Sequence, residues 1–380
     1  MGRKWVVVIT LTWLVCACSS DSSDIPSHDN GIDQGTDLSF DRKAMLVNWT
    51  DNIIVPSYKA LQSDIIELKT AFEAFVTVKN VDNLAIFRQA WADAYLSWQG
   101  VAMFEIGPAE ANGYRLNMNT FPTDTTLIAS FIDSGSYDLS LSSNRDAKGF
   151  PALDYLLNGL EDTDDALVAR WTEGAEAENT MDLIDAILTD MVSLTDAVVS
   201  GWEDGYRNTF VENDGSSATA SVDRFVNDYI FYYERFLRAG KMGIPLGVFS
   251  GTPQPGTLEV YYRPELGKSM FLAGMGAVQD FFNGKHYGSN ASGESLASYL
   301  DDLNTLKNGD DLSQLINDQF DLARGMVQEL GSFREEIELN SPPRDMLLAY
   351  DEVQRIVPYF KVDMVSAMSI SIDFVDADGD

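Results

Sequence analysis

The sequence predicts an all-α fold, because apolar residues recur at spacings of three and four along most of the chain. Strand-like alternation is scarce, and two segments rich in irregular, turn-forming residues interrupt the helical pattern. Helical spacing is found in residues 61–75, 84–102, 184–198, 225–236, 294–308, 312–338 and 343–370. Long amphipathic helices of this kind bury their apolar faces against one another, so we expect helical bundles.

The N-terminus begins with a targeting segment. A short basic start, "MGRK", precedes the apolar run "WVVVITLTWLV", which is too short for a stable membrane anchor. The run ends in "VCAC", which resembles a bacterial lipobox. That resemblance implies a signal peptide at residues 1–17 and a lipid on Cys18 that attaches the protein to a membrane.

Residues 18–39 have no apolar periodicity and predict a flexible tether. Their acidic, serine-rich start resembles the surface-export signals of some gram-negative lipoproteins. We therefore expect an outer-membrane lipoprotein, facing either the cell surface or the periplasm.

Cysteine and histidine are nearly absent from the predicted mature chain. Removal of Cys16 with the signal and lipidation of Cys18 would leave no thiol for catalysis or metal binding. His28 lies in the tether and His286 in the loop "NGKHYGSN", where a lone histidine is typically a solvated side chain. Ser250, in "GVFSG", does not match the nucleophile elbow of a serine hydrolase.

The composition is strongly acidic, with 59 acidic against 26 basic residues and a formal charge of −33. Such a field repels nucleic acid and anionic lipid surfaces, so we expect no nucleic-acid partner. It would attract cationic partners, but solubility is the simpler interpretation.

Two long irregular segments divide the helical pattern, at residues 105–126 and 243–267. Between them, residues 212–221 read "ENDGSSATAS", which is typical of a domain junction. We therefore predict an N-terminal bundle domain at 40–215 and a C-terminal one at 216–380. Each half holds one long loop, as an ancient duplication would produce.

The stretch "KGFPALDYLLNG", residues 148–159, predicts a helix with Pro151 in its first turn, where the missing N–H is no loss. Its apolar face consists of Leu153, Leu156, Leu157 and Leu160. Pro151, Asp154 and Asn158 share a second stripe, well away from the leucines.

Four stretches in this order, "AWADAYLSWQGVAMFEIGPAE", "GFPALDYLLNG", "FYYERFLRAGKMGIPLGVFSG" and "VDADGD", are similar to the imelysin-like family, also called insulin-cleaving membrane proteases. The likeness extends from about residue 40 to the C-terminus. It implies two helical-bundle domains facing each other across a groove, and a role in iron acquisition at the bacterial surface or in the periplasm. The founding member was described as a metallopeptidase. The family signature is GxHxxE, in which His and Glu three residues apart can meet one metal ion.

In this sequence the signature positions are Gly149, Pro151 and Asp154. Proline has no side-chain ligand atom, and a single carboxylate does not make a zinc or iron site. We therefore expect the family's His/Glu metal site, and its peptidase activity, to be absent.

Three interpretations of Asp154 are open. It could be a structural remnant that accepts backbone N–H groups or pairs with a cation. It could line a groove that binds a ligand or peptide without metal. It could also join Glu105 and Glu110 in an oxygen-only site for a divalent cation or iron, because the family likeness places their loop near the helix.

Two charged clusters outside this helix have alternative interpretations. Arg235, Arg238 and Lys241 could bind an anionic ligand opposite Asp154, or simply suit a helix C-terminus. The tail Asp376–Asp380, "DADGD", mimics the start of a calcium loop but ends before a closing glutamate, which excludes an EF-hand.

The sequence therefore predicts a lipid-anchored binding protein of the cell envelope, working with a partner protein or peptide in iron or haem uptake. We expect no resident cofactor. The alternative is a metallopeptidase, or a metal-binding protein with a carboxylate-only site that holds a divalent cation or iron.

Overall fold

A computed structural model of the chain describes residues 40–174 and 176–373. The predicted signal peptide, Cys18, the tether with His28, and the tail Asp376–Asp380 lie outside the described residues. Within the described residues, no helix is both long and apolar enough to cross a membrane.

The described chain is predominantly helical with very little strand, which confirms the all-α prediction. The helices of its first part are α1 (Arg42–Asn48), α2 (Val55–Thr77), α3 (Val81–Gln99), α4 (Pro108–Asn112), α5 (Tyr114–Met118), α6 (Thr125–Ser134), α7 (Gly149–Asn158), α8 (Asp164–Thr172), α9 (Glu176–Gly201) and α10 (Arg207–Glu212). Those of its second part are α11 (Ser221–Phe231), α12 (Ile244–Leu246), α13 (Gly267–Phe282), α14 (Leu296–Asp302), α15 (Leu312–Glu329), α16 (Phe333–Leu339), α17 (Arg344–Gln354), α18 (Ile356–Pro358) and α19 (Val365–Ala367).

Several α-helices run into π-helical segments, where the hydrogen-bond step lengthens to five residues; the segment that contains Gly205 is kinked there, with φ at 133°. These segments are Trp49–Ile54, Trp202–Tyr206, Tyr232–Gly243 and Tyr359–Met364. Short 3₁₀ turns occur at Ser142–Ala147, Pro255–Thr257 and Pro264–Leu266.

Side-chain caps fix several helix starts. Asn80 accepts the backbone N–H of Asn83 ahead of α3, and Asp124 accepts two N–H groups ahead of α6. Ser295 forms a capping box with Ser298 at α14. These groups satisfy donors that the first helical turn leaves without partners.

Two predicted stretches differ from the structure. Helical spacing over residues 294–308 predicted one helix, but α14 ends at Asp302 and a small antiparallel hairpin follows, with β1 (Leu306–Lys307) paired to β2 (Asp310–Asp311). Its turn is Asn308-Gly309, with positive φ at both residues, a pair that favours hairpins over helix. The segment 105–126, predicted to be irregular, contains α4 and α5.

In the first part of the chain, α2 packs along both α3 and α9. In the second part, α13, α15 and α17 pack together with the π-helical segment Tyr232–Gly243. Helix α3 also packs on α13. The ring of Phe281 contacts two rings from the first part of the chain. Its centroid is 5.0 Å from that of Trp49 and 5.5 Å from that of Phe104.

The described residues from Phe40 onward belong to one compact unit with a continuous apolar core. The segment between α10 and α11 is non-helical, where the junction was predicted. The division into domains at 215/216 and its origin by duplication stay predictions.

Candidate functional site

Helix α7 is buried on both of its faces. Leu153, Leu156 and Leu157 are fully buried, as their spacing predicts, but Pro151 and Asp154 on the second stripe are buried as well. On one side the helix packs on α3, where the ring of Phe150 stacks on Tyr95 with centroids 4.5 Å apart. The second stripe is therefore covered by protein.

Gly149 begins α7 in the left-handed region of backbone space, with φ at 71°. A Cβ atom there would lie 2.2 Å from the carbonyl oxygen of Met118. Both the backbone conformation and the close approach of the Met118 carbonyl require glycine at this position.

Asp154 uses both carboxylate oxygens within the protein. Its Oδ2 accepts the backbone N–H of Tyr262 at 2.9 Å, and its Oδ1 accepts the Nδ2–H of Asn158 at 3.1 Å. Burial raises the pKa of Asp154 to about 7, although the two hydrogen bonds act in the opposite direction. The carboxylate thus joins α7 to the long loop that follows α12.

Tyr262 makes two further contacts with α7. Its ring packs against Tyr155, with centroids 5.1 Å apart. At Gly159, just past the helix, a Cβ atom would come within 2.4 Å of the Tyr262 ring. We call Asp154, Tyr155, Gly159 and Tyr262 the loop latch, because together they fix the loop on α7.

The space beside Asp154 is small. Pro151, Asp154, Glu259 and Tyr261 are among the residues lining a pocket of about 30 Å³. That volume holds one or two water molecules and is far too small for a peptide segment.

A buried ion pair lies next to this pocket. Lys241 Nζ is 2.9 Å from the carboxylate of Glu259, and both residues are at most 5% exposed. Asn119 Nδ2 donates to Glu259 at 2.8 Å, Gln99 Nε2 donates to it at 3.3 Å, and Lys241 also donates to Gln99 Oε1. Burial lowers the pKa of Lys241, and the negative charge of Glu259 opposes that shift.

The three cations of the predicted basic cluster have different environments. Lys241 pairs with Glu259. Arg238 is buried, with its guanidinium 3.7 Å from Glu234 and 3.1 Å from the Tyr350 hydroxyl, and Arg235 is exposed. The structure does not gather them around Asp154.

Glu105 and Glu110 lie in a different pocket, of about 180 Å³, which Asp154 does not line. Glu105 accepts the backbone N–H of Arg115 at 2.8 Å, and burial raises its pKa to about 7. Glu110 pairs with the exposed Arg224 at 2.8 Å. The structure therefore does not bring these carboxylates together with Asp154. In residues 40–174 and 176–373, no group of three or more His, Cys, Asp or Glu side chains is placed to hold a metal ion.

Comparison with known proteins identifies the family of this chain. Residues 54–357 match the family model Peptidase_M75, described as Imelysin, which is well over half of the chain. The chain belongs to the imelysin family. This confirms the resemblance found in the sequence.

Relatives of known structure share the imelysin fold. One is a crystal structure described as an iron-regulated protein A precursor from Parabacteroides distasonis, with a TM-score of 0.69, 16% identity and coverage of 85% of this chain and 95% of that one. Another is an imelysin-like protein from Psychrobacter arcticum, with a TM-score of 0.66, 14% identity and coverage of 88% and 97%.

A shorter sequence match is to iron-regulated protein A of Synechococcus elongatus, at 31% identity over 87 residues. The match covers 22% of this imelysin chain and 24% of the relative. The chain thus matches about a quarter of that relative's length.

At the positions predicted to correspond to the imelysin signature, Pro151 has no atom that could ligate a metal ion. Asp154 is a single carboxylate, and its two oxygens each accept one hydrogen bond, from Tyr262 and Asn158. A metal ion held by a histidine and a glutamate three residues apart has no equivalent donor pair at these two positions.

Sequence reasoning missed the partners that surround the motif helix, namely Gln99, Asn119, Glu259 and Tyr262. Glu259 had a usable signal, since it is a lone carboxylate between the apolar Leu258 and Val260. A charge in such a setting is buried only when it is paired. The others had no local signal, because their contacts join segments far apart in the sequence.

Proposed function

We propose that this imelysin-family chain is a lipid-anchored binding protein of the bacterial cell envelope, working in iron or haem acquisition without the family's His/Glu metal site. The iron role is supported by the names of two relatives, both iron-regulated protein A. The envelope location is supported by the lipobox-like sequence that ends at Cys18.

The observation that best supports a non-catalytic role is the engagement of Asp154 in the loop latch. A metallopeptidase needs a metal ion that holds and activates a water molecule, with a base beside it. At the predicted motif positions Pro151 offers no ligand, Asp154 is a single carboxylate held by Tyr262 and Asn158, and the adjacent pocket admits only one or two waters. A polypeptide substrate has no room there.

A peptidase assay tests the catalytic half of the proposal. The full chain is incubated with an unfolded protein such as reduced casein, with and without a chelator, beside the variant Asp154→Asn. We expect no chelator-sensitive cleavage in either sample. Cleavage that the chelator stops and that Asp154→Asn abolishes would establish the metallopeptidase alternative instead.

Expression under iron starvation tests the iron role. We expect transcript and protein levels to rise when iron is withdrawn and to fall when it is restored. Levels that do not respond to iron, while known iron-uptake genes in the same cells do, would contradict the proposed role.

The lipid anchor has a separate test. Cys18→Ser should move the protein from the membrane fraction to the soluble fraction, because no acyl chain can then be attached. Cys16→Ser is the matched control and should leave the protein in the membrane fraction. Continued membrane attachment of Cys18→Ser would refute the anchor without affecting the iron role.

A further inference from the structure

A cavity of about 600 Å³ lies apart from the motif helix. Its walls come from the junction of the first π-helical segment with α2, from the residues that follow α3, and from one face of α13. The loop 285–290 completes its lining. Its volume is within the range of small-molecule sites and about twenty times that of the pocket beside Asp154.

Small residues on the walls keep this space open. Gly100, Ala273, Gly276 and Ala277 all line it. A Cβ atom on Gly276 would meet nothing within 4 Å. A glycine inside a helix costs about 1 kcal/mol relative to alanine, and here no close packing requires it. Gly276 therefore leaves open volume in the cavity that a side chain would fill.

The helical walls also carry Ile53, Met103, Phe104 and Phe281, which are apolar. The hydroxyl of Ser57 on the same wall donates to the Ile53 carbonyl at 2.6 Å. The charged residues of the lining, Asp280 and Lys285, pair with each other at 3.0 Å and offer a ligand no net charge. The cavity therefore suits an uncharged, mostly apolar molecule.

The loop 285–290, which completes the lining, is held in place by its backbone. The His286 N–H donates to Ala291 and the Tyr287 N–H donates to Asn52, at 2.9 and 2.8 Å. The side-chain Nε2 of His286 has almost no accessible area, so a molecule in the cavity does not reach it.

We propose that this cavity is a binding site for an uncharged, largely apolar small molecule. The site shares no residue with the loop latch. The proposal for this cavity does not depend on the proposed iron role, and its failure would leave that role unaffected.

The neutral fluorescent probe N-phenyl-1-naphthylamine tests the site, because it has two apolar ring systems and one N–H donor. Titration of the full chain should show saturable binding at one site. Gly276→Leu fills the cavity and should weaken binding about tenfold or more. Gly325→Leu is the matched control, since Gly325 also lies inside a helix with open space at its Cβ but outside the cavity, and it should bind as the wild type does.

Further variants separate the parts of the proposal. Ala273→Leu, from the same wall, replaces Gly276→Leu if that variant does not fold. The anionic analogue 1-anilinonaphthalene-8-sulfonate should bind more weakly than the neutral probe. Unsaturable binding, equal binding in the cavity-filling and control variants, or preference for the anion would overturn the proposal.

Discussion

At the scale of single residues, Asp154 combines burial with two hydrogen bonds that favour its charged form. Burial is the larger influence, and it raises the pKa to about 7, from an ordinary value of 3.8. The folded protein therefore binds a proton at this site more tightly than the unfolded chain does. The free energy of unfolding must then fall as pH rises between these two values, and the loss is complete above about 7. Glu105, raised from 4.5 to about 7 by burial, contributes with the same sign.

Replacing Asp154 by asparagine removes this titration and keeps an oxygen for the Tyr262 N–H. We expect the loss of stability between about pH 5 and about pH 8 to be smaller in Asp154→Asn than in the wild type. Urea unfolding at the two pH values measures the difference. Asp214→Asn, at an exposed aspartate, is the control and should keep the wild-type pH dependence. A pH dependence unchanged by Asp154→Asn would show that Asp154 does not titrate in this range.

Asp154→Ala removes the acceptor of the Tyr262 N–H without replacement. A buried donor left without a partner costs about 1–3 kcal/mol, so the free energy of unfolding should fall by that amount. Proteolysis should also cut the loop 247–266 faster than in the wild type, because the latch no longer fixes it on α7. Equal cleavage rates would contradict the latch.

At the scale of elements, α7 depends on the glycine at its first residue. Gly149→Ala would need a positive φ and would place Cβ 2.2 Å from the Met118 carbonyl oxygen. We expect a loss of at least about 2 kcal/mol in the free energy of unfolding. Gly325→Ala, inside α15 with open space, should be neutral or stabilising by up to about 1 kcal/mol. Similar effects of the two substitutions would contradict this role of Gly149.

The ion pair between Lys241 and Glu259 links the π-helical segment Tyr232–Gly243 to the long loop. Removing one partner of a buried pair leaves the other charge uncompensated, which costs about 3–5 kcal/mol. We expect that loss for Lys241→Met, with partial recovery in the double variant Lys241→Met/Glu259→Gln. Lys59→Met removes a half-exposed pair with Glu203 and should cost less than about 1 kcal/mol. Denaturant unfolding of the wild type, Lys241→Met, Glu259→Gln and the double variant measures the coupling, and additive losses would show that the pair does not interact.

The elements themselves were largely predictable from the sequence, whereas the site around α7 was not. Local spacing of apolar residues determines which face of a helix is buried. This spacing was visible in the sequence for the leucine stripe on α7 and for the apolar faces of α2, α3 and α9. The bond from Tyr262 to Asp154 joins residues 108 positions apart, and no local pattern contains it. Arg238 and Lys241 lie in the π-helical segment Tyr232–Gly243. A π-helix has more residues per turn than an α-helix, so the α-helical period of 3.6 does not predict which face these side chains occupy.

At the scale of the whole molecule, the formal charge of −33 opposes compaction. Dissolved salt screens repulsion between distant surface charges more than it weakens buried pairs. We therefore expect the melting temperature to rise as NaCl increases from about 0.02 M to about 0.5 M. A melting temperature that falls with salt would mean that surface ion pairs outweigh the net repulsion.

The central claim is that Asp154 holds the loop on α7 and does not bind a metal ion. Elemental analysis after equilibration with zinc or ferrous iron and removal of excess metal tests it most directly, in the wild type and in Asp154→Asn, which should fold. The account predicts that neither chain retains stoichiometric metal. About one equivalent of metal in the wild type that disappears in Asp154→Asn would contradict it.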